Sequence, residues 1–321
     1  MNNEGTESTN LGDLIIFESI LEKIQLLFPG KELVRISSHV PLENKHRKLF
    51  NNAYLSFIGG TNLLTYHIVR YMLMPIRKSN LVWLFPGIKD LIIFGAGWGY
   101  GYGQPISIRT RIFYKKLLHA EFIHSLRDQY SADKLATQIS INTCNTCCPS
   151  TWSLDVEDTN RTKFSNTCLF TLTDYETSPG ADEELLNILF KYFDKLTFFP
   201  QGAEDEEYIQ SLPLYKKNKE KILMLPHSYN EFKNYLSANE ITYVGTRLHG
   251  GIKCLQHNYE SLIISFDNRS VEIARDTNLP ICPRSDYSQL LDWLEGKKVF
   301  KEGIILPKEA IERWQNQFIG L

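Results

Sequence analysis

The sequence predicts an α/β protein of two Rossmann-like domains whose parallel sheets face each other across a cleft. Three observations carry this prediction. Short apolar runs alternate with helical stretches along the chain, and each run ends in a glycine or polar loop, the rhythm of a parallel sheet covered by helices. The 321 residues suit two domains of about 150 residues each. Hydrophobic residues make up 43% of the chain and charged residues 22%, enough apolar mass for two cores and too much for a disordered chain.

The elements follow in order. Asp13 to Phe28 places Leu14, Phe17, Ile20, Leu21, Ile24 and Leu27 at helical spacing, and Pro29-Gly30 stops the helix. Strands are expected at Leu33–Ser37, Ala53–Ile58, Leu91–Phe94, Glu121–Leu126 and Ile139–Asn142. The second half repeats the rhythm. Strand Leu169–Leu172 leads to an amphipathic helix over Asp182–Leu196, and Phe198-Phe199 closes the next strand before Pro200-Gln201-Gly202. Ile222–Leu225 is a strand, and Ser228–Asn239 is a helix opened by a capping box of Ser228 with Glu231. Strands at Ile241–Val244 and Leu262–Phe266 then alternate with helices at Gly250–His257 and Val271–Arg275. The polar stretch Asp155–Asn166 reads as the linker. The expected division is therefore residues 1–160, residues 161–306, and a helix in 307–321 that crosses back onto the first domain.

Composition narrows the function. Lys plus Arg is 35 and Asp plus Glu is 37, a formal charge of −2, so any anion site must be local rather than a basic surface. The most apolar region, Leu81 to Gly97, is broken by Pro86, Lys89 and Asp90, which argues against a spanning helix. The polar start lacks the order of a signal peptide, and six cysteines form no disulfide framework, so a reducing cytoplasm is the expected home. Cys144 and Cys147 have C-x-x-C spacing without a second pair, so buried thiols are expected and no metal site. The acidic run Glu204–Glu207 reads as a solvated helix start. The loop Gly95–Gly103 does not keep dinucleotide-binding glycine spacing.

The sharpest local signal is Tyr243-Val244-Gly245-Thr246-Arg247-Leu248-His249-Gly250-Gly251-Ile252. An apolar strand runs into a turn, and a helix is expected to begin at the glycines. Unpaired N–H groups and the dipole at a helix start favour an anion. In extended backbone Arg247 and His249 point to one side, the first offering a fork for phosphate or carboxylate and the second a proton near neutral pH. The plainer account is an Arg paired to a nearby carboxylate and a buried His.

Gly245-Thr246-Arg247-Leu248-His249-Gly250-Gly251 resembles the signature of the polysaccharide pyruvyltransferase family. So do Asn10-Leu11-Gly12-Asp13, Phe57-Ile58-Gly59-Gly60-Thr61-Asn62-Leu63-Leu64, Leu126-Arg127-Asp128 with Ser131, Phe199-Pro200-Gln201-Gly202 with Asp205, and Ile263 to Asp267, in the family's order. One departure is that the family usually carries a strand before the Asn-x-Gly-Asp element, whereas nine mostly polar residues precede Asn10 here.

The resemblance implies a fold like the two-domain GT-B glycosyltransferases and phosphoenolpyruvate as the donor, with no further cofactor. The product would be a pyruvate ketal on two sugar hydroxyls, in surface polysaccharide biosynthesis of the bacterial type. Arg247, Gly250 and Gly251 are then expected to hold one anionic group of the donor. Arg127 reaches the other across the cleft, unless it pairs with Asp128 or Asp267 instead. His249 is the expected acid, so Arg247 and His249 are the catalytic candidates. Asn10, Asp13, Thr61 and Asn62 are the acceptor-side candidates, with Trp98, Tyr100 and Tyr102 as stacking faces; Asp13 is equally a helix cap. The acceptor is a sugar or lipid-linked oligosaccharide, with no nucleic acid; the resemblance suits a position at the inner face of the membrane and allows a homo-oligomer. Two other readings stay open: a GT-B glycosyltransferase using a nucleotide-activated sugar, and an inactive sugar-binding member.

Overall fold

A computed structural model describes residues 8–37, 44–68, 88–154, 164–298 and 303–321. The expected linker lies mostly outside the described residues, as does the start of the apolar stretch from Leu81. The chain divides into two compact units. The first comprises residues 1–8, 16–149 and 306–321, and the second residues 9–15 and 150–305. Each is mixed α/β on a parallel sheet.

In the first unit, strands β1 (Ser56–Gly59), β3 (Leu91–Ala96), β5 (His124–Leu126) and β6 (Thr143–Asn145) pair in parallel in the order β1-β3-β5-β6. Two short strands, β2 (Leu64–Thr65) and β4 (Trp98–Tyr100), form a separate parallel pair. All six residues of β3 are buried, as suits a strand covered on both faces. Helix α1 (Gly12–Leu27) starts in the second unit and continues in the first, where Ile16 and Ile20 press on Gly60 and Gly59. The helix Lys308–Asn316 brings Trp314 to stack on Phe94 of β3, with ring centroids 4.3 Å apart.

Two expected strands differ here. Residues 33–37 form no strand, Val34 is largely exposed, and Leu33 and Ile36 are only partly buried, so the apolar spacing there enters no core. Ile139 instead ends helix α4 (Gln129–Ile139), where it continues the buried face of Ala132 and Leu135 at helical spacing. Ser140 turns the chain left-handed (φ 62°), and the strand begins at Thr143.

The second unit holds β7 (Thr167–Thr171), β8 (Lys195–Phe198), β9 (Ile222–Met224), β10 (Thr242–Gly245), β11 (Ser261–Ser265) and β12 (Ile281–Pro283). They form one parallel sheet in the order β12-β11-β10-β7-β8-β9. This is the doubly wound arrangement, and the strand order reverses between β7 and β10. Ser228 caps the helix Tyr229–Ala238 by accepting the Glu231 N–H, as its capping box predicts. Cys168, Phe170, Leu185, Leu189, Phe198, Val244, Leu262 and Ile264 are among the residues of its continuous core.

Residues 9–15 belong to this second unit, so Asn10 and Asp13 do not lie on the acceptor side of a first domain as expected. The cause is local. Leu11 N–H donates to Gln201 O at 2.9 Å, and Gln201 Nε2 donates to Asn10 Oδ1 at 3.2 Å. Asn10 Oδ1 also takes the Gly12 N–H, so Asn10 satisfies a donor at the helix start.

Candidate active site

At the switch point of the second sheet, the turn after β10 delivers Arg247. Its backbone is clamped at both ends. Arg247 N–H donates to Thr171 Oγ1 at 3.1 Å, Thr171 Oγ1 lies 2.7 Å from Tyr243 OH, and Tyr243 OH donates to Arg247 O at 2.8 Å. Extended backbone ends at Arg247 itself, the N-cap of helix α9 (Leu248–Gln256). His249 is therefore the second helical residue rather than a strand position, and the alternation expected to align it with Arg247 does not apply. His249 is buried in the first turn of this helix.

The Arg247 guanidinium is buried and held by two carboxylates. Nε donates to Asp205 Oδ2 at 2.9 Å, while Nη2 meets Asp174 Oδ1 at 2.8 Å and also Asp205 Oδ1. Burial alone would lower its pKa, but Asp205 and Asp174 outweigh this and hold it above the ordinary value, so it stays charged. Tyr175 covers it, with Arg247 Cζ 5.0 Å from the ring centre. The plainer account weighed from sequence, an Arg paired to carboxylates, is thus realised on Nε and Nη2. Among the described residues no hydrogen bond engages Nη1.

Asp205 organises this corner. It is fully buried, and besides Arg247 it accepts the N–H groups of Gln201 (3.0 Å), Gly202 (2.7 Å) and Asp174 (2.9 Å). The solvated helix start expected for Glu204–Glu207 is corrected at this position, because three main-chain donors and one guanidinium repay its burial. Gly202 leaves the space the pair needs, since a Cβ there would lie 2.0 Å from Arg247 Nη2.

Gly250 and Gly251 do different work from that expected. Gly251 N–H donates to Arg247 O at 3.1 Å and so is not available to an anion. A Cβ on Gly251 would meet Ile263 at 2.5 Å, so this glycine lets the helix press on β11. A Cβ on Gly250 would stand 2.9 Å from Gln201 Oε1. That oxygen is buried with no hydrogen-bond partner, and so is Thr173 Oγ1 just beyond β7. Arg247 Nη1, Thr173 Oγ1 and Gln201 Oε1 thus follow the ends of three neighbouring strands, β10, β7 and β8, where open parallel sheets bind ligands. Sequence reasoning missed Thr173, Asp174 and the burial of Asp205. The available signal was the position of Thr173 and Asp174 directly after a predicted strand, and of Asp205 just past the Pro-Gln-Gly turn that follows the next one.

The first unit brings two other candidates together. Arg127, after β5, is buried, and its Nη1 donates to Asn62 Oδ1 at 2.8 Å. Nε faces Asp128 Oδ2 at 3.3 Å, the Asp128 ion pair weighed from sequence. Asp128 also caps α4 through Ser131 N–H at 2.7 Å. Arg127 Nη2 is buried without a partner. The guanidinium lies across Gly97, where a Cβ would come within 2.3 Å of it. Thr61 holds a left-handed turn (φ 52°) and accepts Gly97 N–H through its carbonyl at 3.0 Å.

The expected stacking faces are partly withdrawn. Trp98 is fully buried, with Lys134 Nζ 4.2 Å from the ring centre. Tyr102 is exposed and packs on Tyr130 with tilted rings 4.3 Å apart, and Tyr100 packs on Tyr66. Burial lowers the Lys134 pKa to about 8. Asp267 caps the helix Asn268–Thr277 and pairs with Arg269, and buried Glu272 pairs with Arg275. All six cysteines are buried thiols. Among the described residues no cluster of three or more metal-ligating side chains occurs, and no helix is long and apolar enough to cross a membrane.

Comparison with known proteins places this geometry in context. A search of curated protein sequences returned no match. Two solved structures are similar at low identity. A protein assigned as a UDP-N-acetylglucosamine 2-epimerase of Listeria monocytogenes shares 13% identity at a TM-score of 0.49, over 97% of this chain and 89% of that one. The E. coli heptosyltransferase WaaC, solved with ADP-2-deoxy-2-fluoro heptose, shares 11% at a TM-score of 0.41, over 91% and 98%. The family model for polysaccharide pyruvyl transferase matches residues 10–268, about four-fifths of the chain and all of the motifs above, and the protein belongs to that family.

Proposed function

We propose that this transferase moves the pyruvyl group of phosphoenolpyruvate onto two hydroxyls of a sugar as a ketal. The observation that carries the reading is the corner after β10. A permanently charged Arg247 is held by Asp205 and Asp174 with Nη1 uncommitted, beside the start of α9 and its histidine. A donor carrying a phosphate and a carboxylate needs cations and helix-start N–H groups, and a proton source beside them.

In this reading Arg247 Nη1 and the first turn of α9 bind one anionic group of the donor, and Arg127 is a further donor-binding candidate to be tested by its own substitution. His249 gives a proton to the donor's methylene carbon. One sugar hydroxyl adds to the adjacent carbon and the second displaces phosphate from it. Two C–O bonds form and the C–O bond to phosphate breaks. Of the two hydroxyl protons released, one matches that gained by the methylene and the other leaves with phosphate. The acceptor is a sugar of a surface polysaccharide or its precursor, and the fold is of the GT-B type.

The test is a thermal-shift and calorimetric screen against phosphoenolpyruvate and a panel of nucleotide sugars. A ligand at 100 times its dissociation constant adds about 2.7 kcal/mol of stability. Stabilisation by phosphoenolpyruvate and not by nucleotide sugars is expected. The reverse pattern would replace this donor with a nucleotide-activated one. His249→Ala is expected to leave phosphoenolpyruvate binding intact and to slow turnover by roughly 10²-fold or more in a phosphate-release assay. Unchanged turnover would remove His249 from the mechanism.

A further inference from the structure

The Gln201 side chain is buried within the second unit, and its two amide ends meet different fates. Which end is which follows from the network. Gly12 N–H can only donate, and it points at Asn10 Oδ1 at 3.0 Å, which fixes the Asn10 amide with oxygen toward the helix start. Gln201 must then present its own nitrogen to that oxygen, as the 3.2 Å contact from Nε2 records. The remaining atom, Oε1, is an acceptor with no partner, and it faces the first turn of α9, 2.9 Å from where a Cβ on Gly250 would stand. A buried acceptor left unmade costs about 1–3 kcal/mol, so a side chain held this firmly at an unpaired site asks for a ligand group that donates.

Phosphoenolpyruvate is a poor candidate for that group. Its carboxylate is ionised and the second phosphate proton has a pKa of about 6, so near pH 8 it offers only acceptors. A sugar hydroxyl is a donor and fits. The main chain of the same residue is tied to the anion corner, because Asp205 holds Gln201 N–H and Arg247 at once. An acceptor hydroxyl at Oε1 therefore lies beside the arginine assigned to the donor.

We infer that Gln201 is an acceptor-binding residue, its Oε1 receiving a hydrogen bond from a hydroxyl of the acceptor sugar at the first turn of α9. The inference rests on the proposed pyruvyl transfer, and its test separates the two. Gln201→Met keeps the length of the side chain and removes the acceptor. Calorimetry at pH 8 would titrate the wild type and this variant with phosphoenolpyruvate and, separately, with p-nitrophenyl glycosides of glucose, galactose and mannose. The expected result is glycoside binding weakened tenfold or more in Gln201→Met, with phosphoenolpyruvate affinity changed less than twofold. Equal glycoside affinity in both proteins, which would mean that water serves Oε1, overturns the inference, as does the absence of glycoside binding to the wild type. Failure of phosphoenolpyruvate to bind the wild type counts against the donor alone, and the glycoside arm still decides Gln201. Should Gln201→Met not fold, Gly250→Ala places a methyl 2.9 Å from Oε1 in a helix that accepts alanine. The same loss of glycoside binding is expected from it, and wild-type glycoside affinity would overturn the inference.

Discussion

Two buried arginines sit at strand ends, one in each unit, and they are paid for differently. Arg247 in the second unit meets two carboxylates, and its main chain is locked by Thr171 and Tyr243. Arg127 in the first unit meets one carboxylate and one amide, and a buried Nη2 is left with nothing. Removing a partner from a buried charge costs several kcal/mol, whereas an unmade hydrogen bond marks a place for a ligand. The difference teaches that Arg247 carries much of the architecture of its corner, while Arg127 keeps one buried donor unspent, which the proposed function would use for the donor.

The largest effect should come from breaking the saturated side. Asp205→Ala removes a partner of buried Arg247 and strands three main-chain N–H groups, so a loss of roughly 3–5 kcal/mol is expected in denaturant unfolding. A loss under 1 kcal/mol would show that Asp205 does not organise the corner.

Acid acts on the first unit. His124, within β5, accepts Ile93 N–H on Nδ1 at 3.1 Å, and burial lowers its pKa to about 4. The unfolded state protonates this residue near its ordinary 6.5. The stability it contributes is therefore complete above that pH and is lost as pH falls toward 4, by about 3 kcal/mol at the lower limit. His124→Asn should flatten this limb, since an amide oxygen can take the Ile93 N–H without titrating. An unchanged acid profile would assign the limb to other groups.

Smaller effects sharpen the comparison. Gly97→Ala puts a methyl 2.3 Å from the Arg127 guanidinium. About 1–3 kcal/mol of stability should go, together with phosphoenolpyruvate binding. Retained binding would show that the position of Arg127 is irrelevant to the donor. Smallest is Lys134→Met, which removes a cation from the Trp98 face and should cost about 1 kcal/mol in a melt.

Much of this was legible in the sequence because it is local. Strands ending in glycine or polar loops, the capping box at Ser228, and the strand–turn–helix around Arg247 depend on neighbours along the chain. What escaped depends on partners far away. Asp205 sits in an acidic run that resembles a solvated helix start, and only Arg247, 42 residues on, makes it a buried counter-ion. Asn10 joins the second unit through Gln201, 191 residues away. Periodicity alone could not place Ile139, since an apolar residue near the end of a helix and one opening a strand look the same until the helical face is seen to be buried. Trp98 suits stacking by type, yet it is fully buried at the start of β4.

The most direct measurement is titration of phosphoenolpyruvate into the wild type, Arg127→Lys and Arg247→Lys, with a melt of each. The contrast predicts that Arg127→Lys loses tenfold or more in affinity, about 1.4 kcal/mol, with a small change in melting temperature. Arg247→Lys should lose stability first. Wild-type affinity in Arg127→Lys, or a melt lowered equally in both variants, would contradict the division of labour between the two arginines.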